Sequence, residues 1–144
     1  MDRGRTATKR HLITDGQGLP LAVALTAANI NDYGQLLPLL DALQRPLVAE
    51  RCQVLADRGY DAKAVRDGIS ERGFEPRVSQ RNRPGQGRKR DSLARERSVI
   101  ERTFAWLGSL RRLATRWERD DELYLAFLLL GCAIVCWRHL NKSL

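Results

Sequence analysis

Two acidic side chains and two arginines are the residues whose types and positions could carry chemistry. Asp57 closes an apolar segment just before a glycine turn, and Glu101 lies within the stretch Asp91–Arg116. If that stretch is helical, Arg97, Glu101 and Arg112 share one face with small Ala and Gly neighbours. Two carboxylates from separate elements could hold Mg²⁺, which activates a water or 3′-hydroxyl for in-line displacement at phosphorus. The alternatives are that Asp57 caps its turn and that Glu101 lies on a solvated helix face.

The overall charge favours an anionic partner. The 144 residues carry 25 Lys and Arg against 17 Asp and Glu, a formal net charge of +8. Such a basic chain attracts polyanions, and its basic residues are mostly Arg, which holds phosphate through a planar fork. With 43% hydrophobic residues the chain is globular rather than disordered. No secretory signal is visible, and three cysteines without disulfide-framework spacing predict reduced thiols in a cytoplasmic protein.

Hydrophobic periodicity and turn residues predict an α/β fold with a mixed sheet. A Gly-containing turn joins the first two strands, so they pair as an antiparallel hairpin, whereas helical crossovers favour parallel pairing later. The apolar run Leu123–Trp137 is fifteen residues, shorter than a membrane span, and predicts a buried helix. The predicted strands are Arg10–Asp15, Leu19–Thr26, Arg51–Asp57 (in the middle of a sheet) and Phe74–Ser79. The predicted helices are Asp32 or Gly34 to Leu43, Ala62–Arg72 capped by Asp61, Asp91–Arg116, and one capped by Asp120 or Asp121 that ends near Leu140.

Four segments together resemble bacterial insertion-sequence transposases of the DDE type. The segments are LADRGYDA (55–62), RERSVIERTFAWL (95–107), KRHLITDGQGLPLAVALT (9–26) and LAFLLLGCAIVCWR (125–138). The resemblance implies a ribonuclease-H-like sheet with flanking helices, with Asp57 as the second catalytic Asp and Glu101 as the catalytic Glu. Within the related Tyr-x2-Arg-x3-Glu-x6-Lys signature, Arg97 matches the Arg. Ala94 and Gly108 replace the Tyr and the Lys, and Arg112 could supply a substitute cation.

The first catalytic Asp of that family has no counterpart in the resemblance. It lies on an opening strand that would precede Lys9–Thr26 and pair with both Arg10–Asp15 and Arg51–Asp57. Asp2 lies in a polar tail, and Asp15 beside Gly16 is better explained as turn chemistry. We therefore expect one incomplete catalytic domain over 1–144, truncated at its N-terminal strand. It would comprise a loose tail (1–9), a basic loop (80–91) and two C-terminal helices (92–140).

The resemblance also implies a function, cofactors and partners. The function is DNA transposition by Mg²⁺-dependent strand cleavage and transfer, with Mn²⁺ as a substitute, in a complete active site only. The expected partners are transposon-end and target DNA, an upstream-encoded transposase fragment and further copies of the chain, with no membrane. One alternative is a non-catalytic DNA-binding or oligomerising remnant. Another is a self-sufficient small nuclease, which would need a third carboxylate within the chain.

The remaining candidate residues each have a structural and a functional interpretation. Cys132, Cys136 and His139 share a helical face, but their apolar neighbours favour buried thiols over a zinc site. His11 is predicted to be a solvated strand residue rather than a phosphate contact, and Trp137 is predicted to lie in the core. DNA-backbone contact and a solvated charge run are equally consistent with the cations Arg81, Arg83, Arg88, Lys89 and Arg90.

Overall fold

The computed structural model describes residues 8–43, 52–79 and 94–141, with side chains from Ser98 onward in the last range. Contacts divide the chain into two compact units. The hairpin unit comprises Met1–Ile30 and Ser98–Leu144, and the parallel unit comprises Asn31–Arg97. Both units mix helices and strands, so the prediction of an α/β chain is confirmed at that level.

The hairpin unit begins with two strands and continues with three helices. Its elements are β1 (Thr8–Thr14), β2 (Pro20–Ala27), α3 (Ala94–Gly108, which begins before the unit boundary), α4 (Arg111–Ala114) and α5 (Asp121–Leu140). The antiparallel pairing of β1 with β2 is confirmed, with Leu12 opposite Val23. Two details differ from the prediction. Thr8 and Lys9 are strand residues rather than part of a loose tail, and the C-terminal segment forms three helices instead of two.

The turn between β1 and β2 is built by a carboxylate and a glycine. Asp15 Oδ1 accepts hydrogen bonds from the backbone N–H groups of Gln17 (2.9 Å) and Leu19 (2.8 Å). Gly18 has φ of +91°, a conformation that side chains with a Cβ rarely adopt. This arrangement confirms that Asp15 acts in turn chemistry.

The core of the hairpin unit lies where β1, α3, α4 and α5 meet. Its buried residues are Leu12, Leu107, Leu113, Tyr124, Leu128, Cys132 and Val135. At Gly131 the helix approaches its neighbours so closely that an added Cβ would lie 2.6 Å from Leu113 Cδ1. One face of α5 therefore packs closely against this core. Asp120 Oδ1 caps the helix by accepting from the N–H of Glu122 at 2.8 Å, as predicted.

The parallel unit contains two helices and two short strands. Its elements are a 3-10 turn (Asp32–Gln35), α1 (Leu36–Asp41), β3 (Gln53–Ala56), a 3-10 turn (Arg58–Tyr60), α2 (Lys63–Glu71) and β4 (Glu75–Val78). β3 pairs with β4 in parallel, as the helical crossover predicts. Asn31 caps the 3-10 turn before α1, since its Oδ1 accepts from the N–H of Tyr33 at 3.3 Å. The helix α1 itself begins at Leu36 without a side-chain cap, so the prediction that Asp32 or Gly34 caps it is wrong. Gly73, with φ of +80°, ends α2.

The single mixed sheet is not observed. Within the described ranges the strands form two separate two-stranded sheets, and β1 and β3 do not pair with each other. Among the described residues β3 has a strand partner on one edge only, so its predicted position in the middle of a sheet stays a prediction. Leu55 on β3 is 42% exposed, because β4 supplies the only strand that pairs with β3 among the described residues.

Candidate functional site

Asp57 lies directly after β3, at the carboxyl end of the parallel strand pair. Its Oδ1 accepts a hydrogen bond from the N–H of Gly59 at 2.7 Å, which caps the turn Arg58–Tyr60. The cap interpretation of Asp57 is thus confirmed. The same contact fixes the orientation of an exposed carboxylate at the end of a strand, where open α/β sheets commonly place functional groups.

A tyrosine and a further aspartate accompany Asp57. Burial raises the pKa of the Tyr60 hydroxyl, and the negative charges of Asp32 and then Asp57 raise it further. Both carboxylates therefore act electrostatically on the same hydroxyl. From the sequence, Asp32 is only a possible helix start, because no local pattern relates it to Tyr60, more than twenty positions away.

Asp61 has a different role from the one predicted. Its Oδ1 pairs with Nη2 of Arg66 at 2.6 Å, and the same nitrogen donates to the carbonyl of Val78 at 3.3 Å. The residue that precedes α2 is Ala62, and no side chain caps the helix there. The prediction of Asp61 as the helix cap is wrong, because its carboxylate is used to tie α2 to the end of β4.

Glu101 lies on the exposed face of α3, and the two-stripe pattern of this helix is confirmed for the described side chains. Thr103 and Leu107 are fully buried on the opposite face, whereas Ala105 is exposed. A Cβ added at Gly108 would meet nothing within 4 Å, so the space beside this face is open. The small residues therefore leave room close to the helix, as the sequence predicts.

Two neighbours of Glu101 anchor α3 to the turn of the hairpin. The Thr103 hydroxyl donates to the carbonyl of Gly18 at 2.7 Å, and Nη2 of Arg102 donates to the carbonyl of Gln17 at 2.9 Å. The Arg102 guanidinium also lies over the Trp106 ring, 5.2 Å from its centroid. Glu101 therefore lies next to two residues of α3, Arg102 and Thr103, that hydrogen-bond to the β1–β2 turn.

Arg112 does not continue the face of α3. The helix ends at Gly108, Leu110 is extended, and Arg112 belongs to the separate helix α4. Its Nη1 pairs with Oε1 of Glu118 at 2.9 Å, and its guanidinium lies 5.4 Å from the centroid of Phe127. The prediction that one stripe joins Arg112 to Glu101 is wrong, because the chain bends between the two helices.

The other predicted DNA contacts fall where the structure gives no side chains. Arg97 lies in α3, where only the backbone is described before Ser98. The cations Arg81, Arg83, Arg88, Lys89 and Arg90 lie outside the described residues, so their role stays a prediction.

The prediction that His11 is a solvated strand residue is wrong. His11 is 7% exposed, and its Nε2 lies 2.7 Å from Thr26 Oγ1, because the ring is buried within the hairpin unit rather than solvated.

The cysteine and histidine face of α5 matches the interpretation of packed thiols. Burial raises the pKa of the Cys132 thiol from 9.0 to about 11, and burial followed by the charge of Asp15 raises the pKa of Cys136. His139 Nε2 is 2.8 Å from Oε1 of Gln17. The prediction that Trp137 lies in the core is wrong, since its side chain is 65% exposed.

Asp57 belongs to the parallel unit and Glu101 to the hairpin unit, so their convergence on one ion stays a prediction. Over the residues that the structure describes, no group of three or more His, Cys, Asp or Glu side chains could hold a metal ion.

By length and composition alone, α5 is the one helix in the described ranges that could cross a membrane. The helix extends over twenty residues, Asp121–Leu140, as its predicted cap and end imply, and so is longer than the fifteen-residue apolar run within it.

Comparison with known families covers almost the whole chain. Residues 2–136 match the family described as the transposase DDE domain. The chain belongs to this family. The match includes Asp57 and the part of α3 that carries Glu101, so both candidate carboxylates lie inside the transposase DDE domain.

Curated transposases from several bacteria are similar to this DDE domain. The Burkholderia cepacia protein named "Putative transposase for insertion sequence element IS402" is 44% identical over 154 aligned positions, covering 99% of this chain and 68% of the relative. The Brucella ovis protein named "Putative transposase for insertion sequence element IS6501" is 30% identical over 91% of the chain and 98% of the relative. The Neisseria meningitidis IS1106 transposase is 31% identical over 72% of the chain and 35% of the relative. No solved structure matches this transposase domain.

Proposed function

We propose that this transposase DDE domain takes part in DNA transposition as a cytoplasmic protein, cleaving and joining DNA strands with Mg²⁺ or Mn²⁺. One observation carries the proposal. Asp57 stands at the carboxyl end of a parallel strand, oriented by its own turn, within a chain that matches the family over residues 2–136. Glu101 supplies a second carboxylate on the open face of an anchored helix.

The donor set of this proposed site suits a hard cation. Carboxylate oxygens are the ligands that Mg²⁺ prefers, and Mg²⁺ keeps coordination positions for water and phosphate oxygens. We assign Asp57 and Glu101 as the residues that would hold it. When bound, the ion would activate the attacking hydroxyl and stabilise the leaving oxygen. The cap at Gly59 fixes the backbone around Asp57, and the hydrogen bond of Thr103 to Gly18 holds α3 against the β1–β2 turn, so each carboxylate is presented by an ordered local backbone.

The architecture proposed for the domain is ribonuclease-H-like. The antiparallel hairpin β1–β2 and the parallel pair β3–β4 are compatible with this architecture. In that arrangement a further strand, bearing the first catalytic Asp, would pair with the second edges of β1 and β3. Its hydrogen bonds would then satisfy backbone groups along both strands.

DNA is the proposed substrate of the basic surface. Arg97 matches the Arg of the family signature, and Arg112, on α4, provides a further cation. Arg112 uses Nη1 to pair with Glu118, and its side chain is 61% exposed, so its other N–H groups would be the donors to a phosphate. We assign backbone contacts also to the basic segment with Arg81, Arg83, Arg88, Lys89 and Arg90, which would give strongly salt-dependent binding.

The site is proposed to be inactive until a third carboxylate is supplied. Asp15 is not assigned as this third carboxylate, because its Oδ1 accepts two backbone N–H groups and builds the β1–β2 turn. An upstream-encoded segment of the transposase is the source we propose for the missing Asp. The chain alone would then bind DNA without cutting it, which is also the behaviour of a non-catalytic remnant.

A strand-cleavage assay tests these proposals in two arms. The chain of 144 residues and the chain joined to the segment encoded upstream are incubated with supercoiled plasmid carrying the element ends and Mg²⁺ or Mn²⁺. We expect nicking only with the joined protein, and loss of it in Asp57→Asn and in Glu101→Gln. Asp67→Asn is the matched control, because Asp67 is an exposed carboxylate on α2 that forms an ion pair with the exposed Lys63.

Each outcome separates one part of the proposal from the others. Full activity of both carboxylate variants would overturn the assignment of the site. Nicking by the chain alone that Asp57→Ala abolishes would overturn the incompleteness and indicate a self-sufficient nuclease. DNA binding by both proteins without cleavage in any metal would favour the non-catalytic remnant.

A further inference from the structure

The outer face of α5 is an apolar stripe that no described part of the hairpin unit covers. Leu123, Leu130 and Trp137 recur every seven residues and are 50%, 60% and 65% exposed. Ala126 and Ala133 lie beside them and are also exposed. Seven-residue spacing of apolar side chains with small neighbours is the pattern by which one helix packs along another. We call these five residues the outer stripe.

We propose that the outer stripe pairs with the same stripe of a second copy of this chain, with the two α5 helices antiparallel about a two-fold axis at Leu130. In this register Leu130 of one copy meets Leu130 of the other, and Leu123 meets Trp137. Ala126 lies against Ala133 of the other copy, so the small side chains allow close approach of the helices. The stripe is therefore self-complementary, as a two-fold interface requires.

Charge at the helix ends selects the antiparallel direction. The first turn of α5 and its cap are acidic (Asp120, Asp121, Glu122), and the last turn is basic (Arg138, His139). Antiparallel pairing places Arg138 of one copy on the same flank as Asp120 of the other, and it also opposes the two helix dipoles. Parallel pairing would instead bring acidic ends together and basic ends together. The charges of α5 thus complement those of a second α5.

The same observations disfavour the other partners of an apolar face. A membrane-spanning α5 would have to leave its own core, where Leu128 is 1% exposed and Tyr124 is 4% exposed. Gly131 would lose its close packing against Leu113 as well. Nucleic acid is disfavoured because its interfaces are polar and positively charged, whereas the outer stripe is apolar. This inference does not depend on the proposed catalytic role of Asp57 and Glu101.

The first test is sedimentation equilibrium of the full chain over a wide concentration range. We expect a reversible dimer whose dissociation constant rises at least ~10-fold in Leu130→Arg, because two arginines would meet at the axis. Leu21→Arg is the matched control, since Leu21 is a 47% exposed leucine of β2 in the same unit. It should leave the dissociation constant unchanged. A wild-type chain that stays monomeric, or a dimer that Leu130→Arg does not weaken, would overturn the proposal.

The second test measures direction and does not depend on the Leu130 variant. One accessible cysteine is introduced by Leu123→Cys or by Trp137→Cys in a Cys52→Ser, Cys136→Ser background, which removes the exposed and the half-buried thiol and leaves only the buried Cys132 besides it. A short bis-maleimide should join the two variants when they are mixed, and neither variant alone. In the antiparallel register the two copies of residue 123 lie ~21 Å apart along the helix. Cross-linking of each variant to itself, or binding of a monomer to phosphatidylcholine vesicles, would contradict the pairing.

Discussion

The contact between Thr103 and Gly18 offers the sharpest test of how Glu101 is positioned. Thr103 is fully buried, and its hydroxyl lies 2.7 Å from the carbonyl oxygen of Gly18 and 3.2 Å from that of Val99. Thr103→Val keeps the shape of the side chain and removes the donor. The Gly18 carbonyl then remains in a buried turn without this partner, which costs about 1–3 kcal/mol in the free energy of unfolding.

Tryptophan fluorescence during urea unfolding measures this loss in the relevant unit. All three tryptophans of the chain, Trp106, Trp117 and Trp137, belong to the hairpin unit. With an m-value of ~1–3 kcal/mol/M, a loss of ~2 kcal/mol lowers the urea midpoint by about 1 M. Thr115→Val is the matched control. Thr115 is exposed and extended, so its variant should change the stability by no more than ~0.5 kcal/mol.

Equal midpoints for the two valine variants would refute the reasoning that Thr103 anchors α3. A change in m-value without a change in midpoint would also contradict it, because the contact belongs to the native state. If the anchor is real, Thr103→Val should in addition lower DNA cleavage by the joined transposase, with Thr115→Val unaffected, since Glu101 is presented two residues before Thr103.

Three further outcomes are expected. Gly18→Ala should lower the free energy of unfolding by roughly 1–3 kcal/mol, because φ is +91° and the new Cβ would lie 2.9 Å from Thr103 Oγ1. Gly16→Ala in the same turn is the control, since its Cβ would meet nothing within 4 Å. Equal urea midpoints for the two variants would contradict this prediction. Burial raises the pKa of the Cys132 thiol from 9.0 to about 11 in the folded chain. Between about pH 9 and 11 the native state therefore keeps a proton that the unfolded state loses, so the free energy of unfolding falls as the pH rises. Cys132→Ala should flatten this dependence on pH, and an unchanged slope would refute the prediction. Asp32→Asn should lower the pKa of Tyr60, as measured by phenolate absorbance against a Tyr60→Phe blank, because the Asp32 charge raises it; an unshifted titration would show that the two groups do not interact.

Features that depend on a few neighbouring residues could be predicted from the sequence. The Asp15 turn, the Asp120 cap and the two faces of α3 all follow from short-range spacing and were confirmed. The position of Asp57 at a strand end was also predictable, since an apolar run followed by a glycine turn indicates it. What could not be predicted is the bend after Gly108, where Leu110 becomes extended and packs against the core.

The sequence by itself determined the family, the kinds of element and the two carboxylates that it presents, because these reside in local patterns of residue type. Only the tertiary structure decided which side chains are covered. His11 is buried beside Thr26, Trp137 is exposed, and Asp61 is taken by Arg66. Burial and pairing depend on neighbours that are distant in the chain, and a helical or strand period specifies a face without specifying what lies against it.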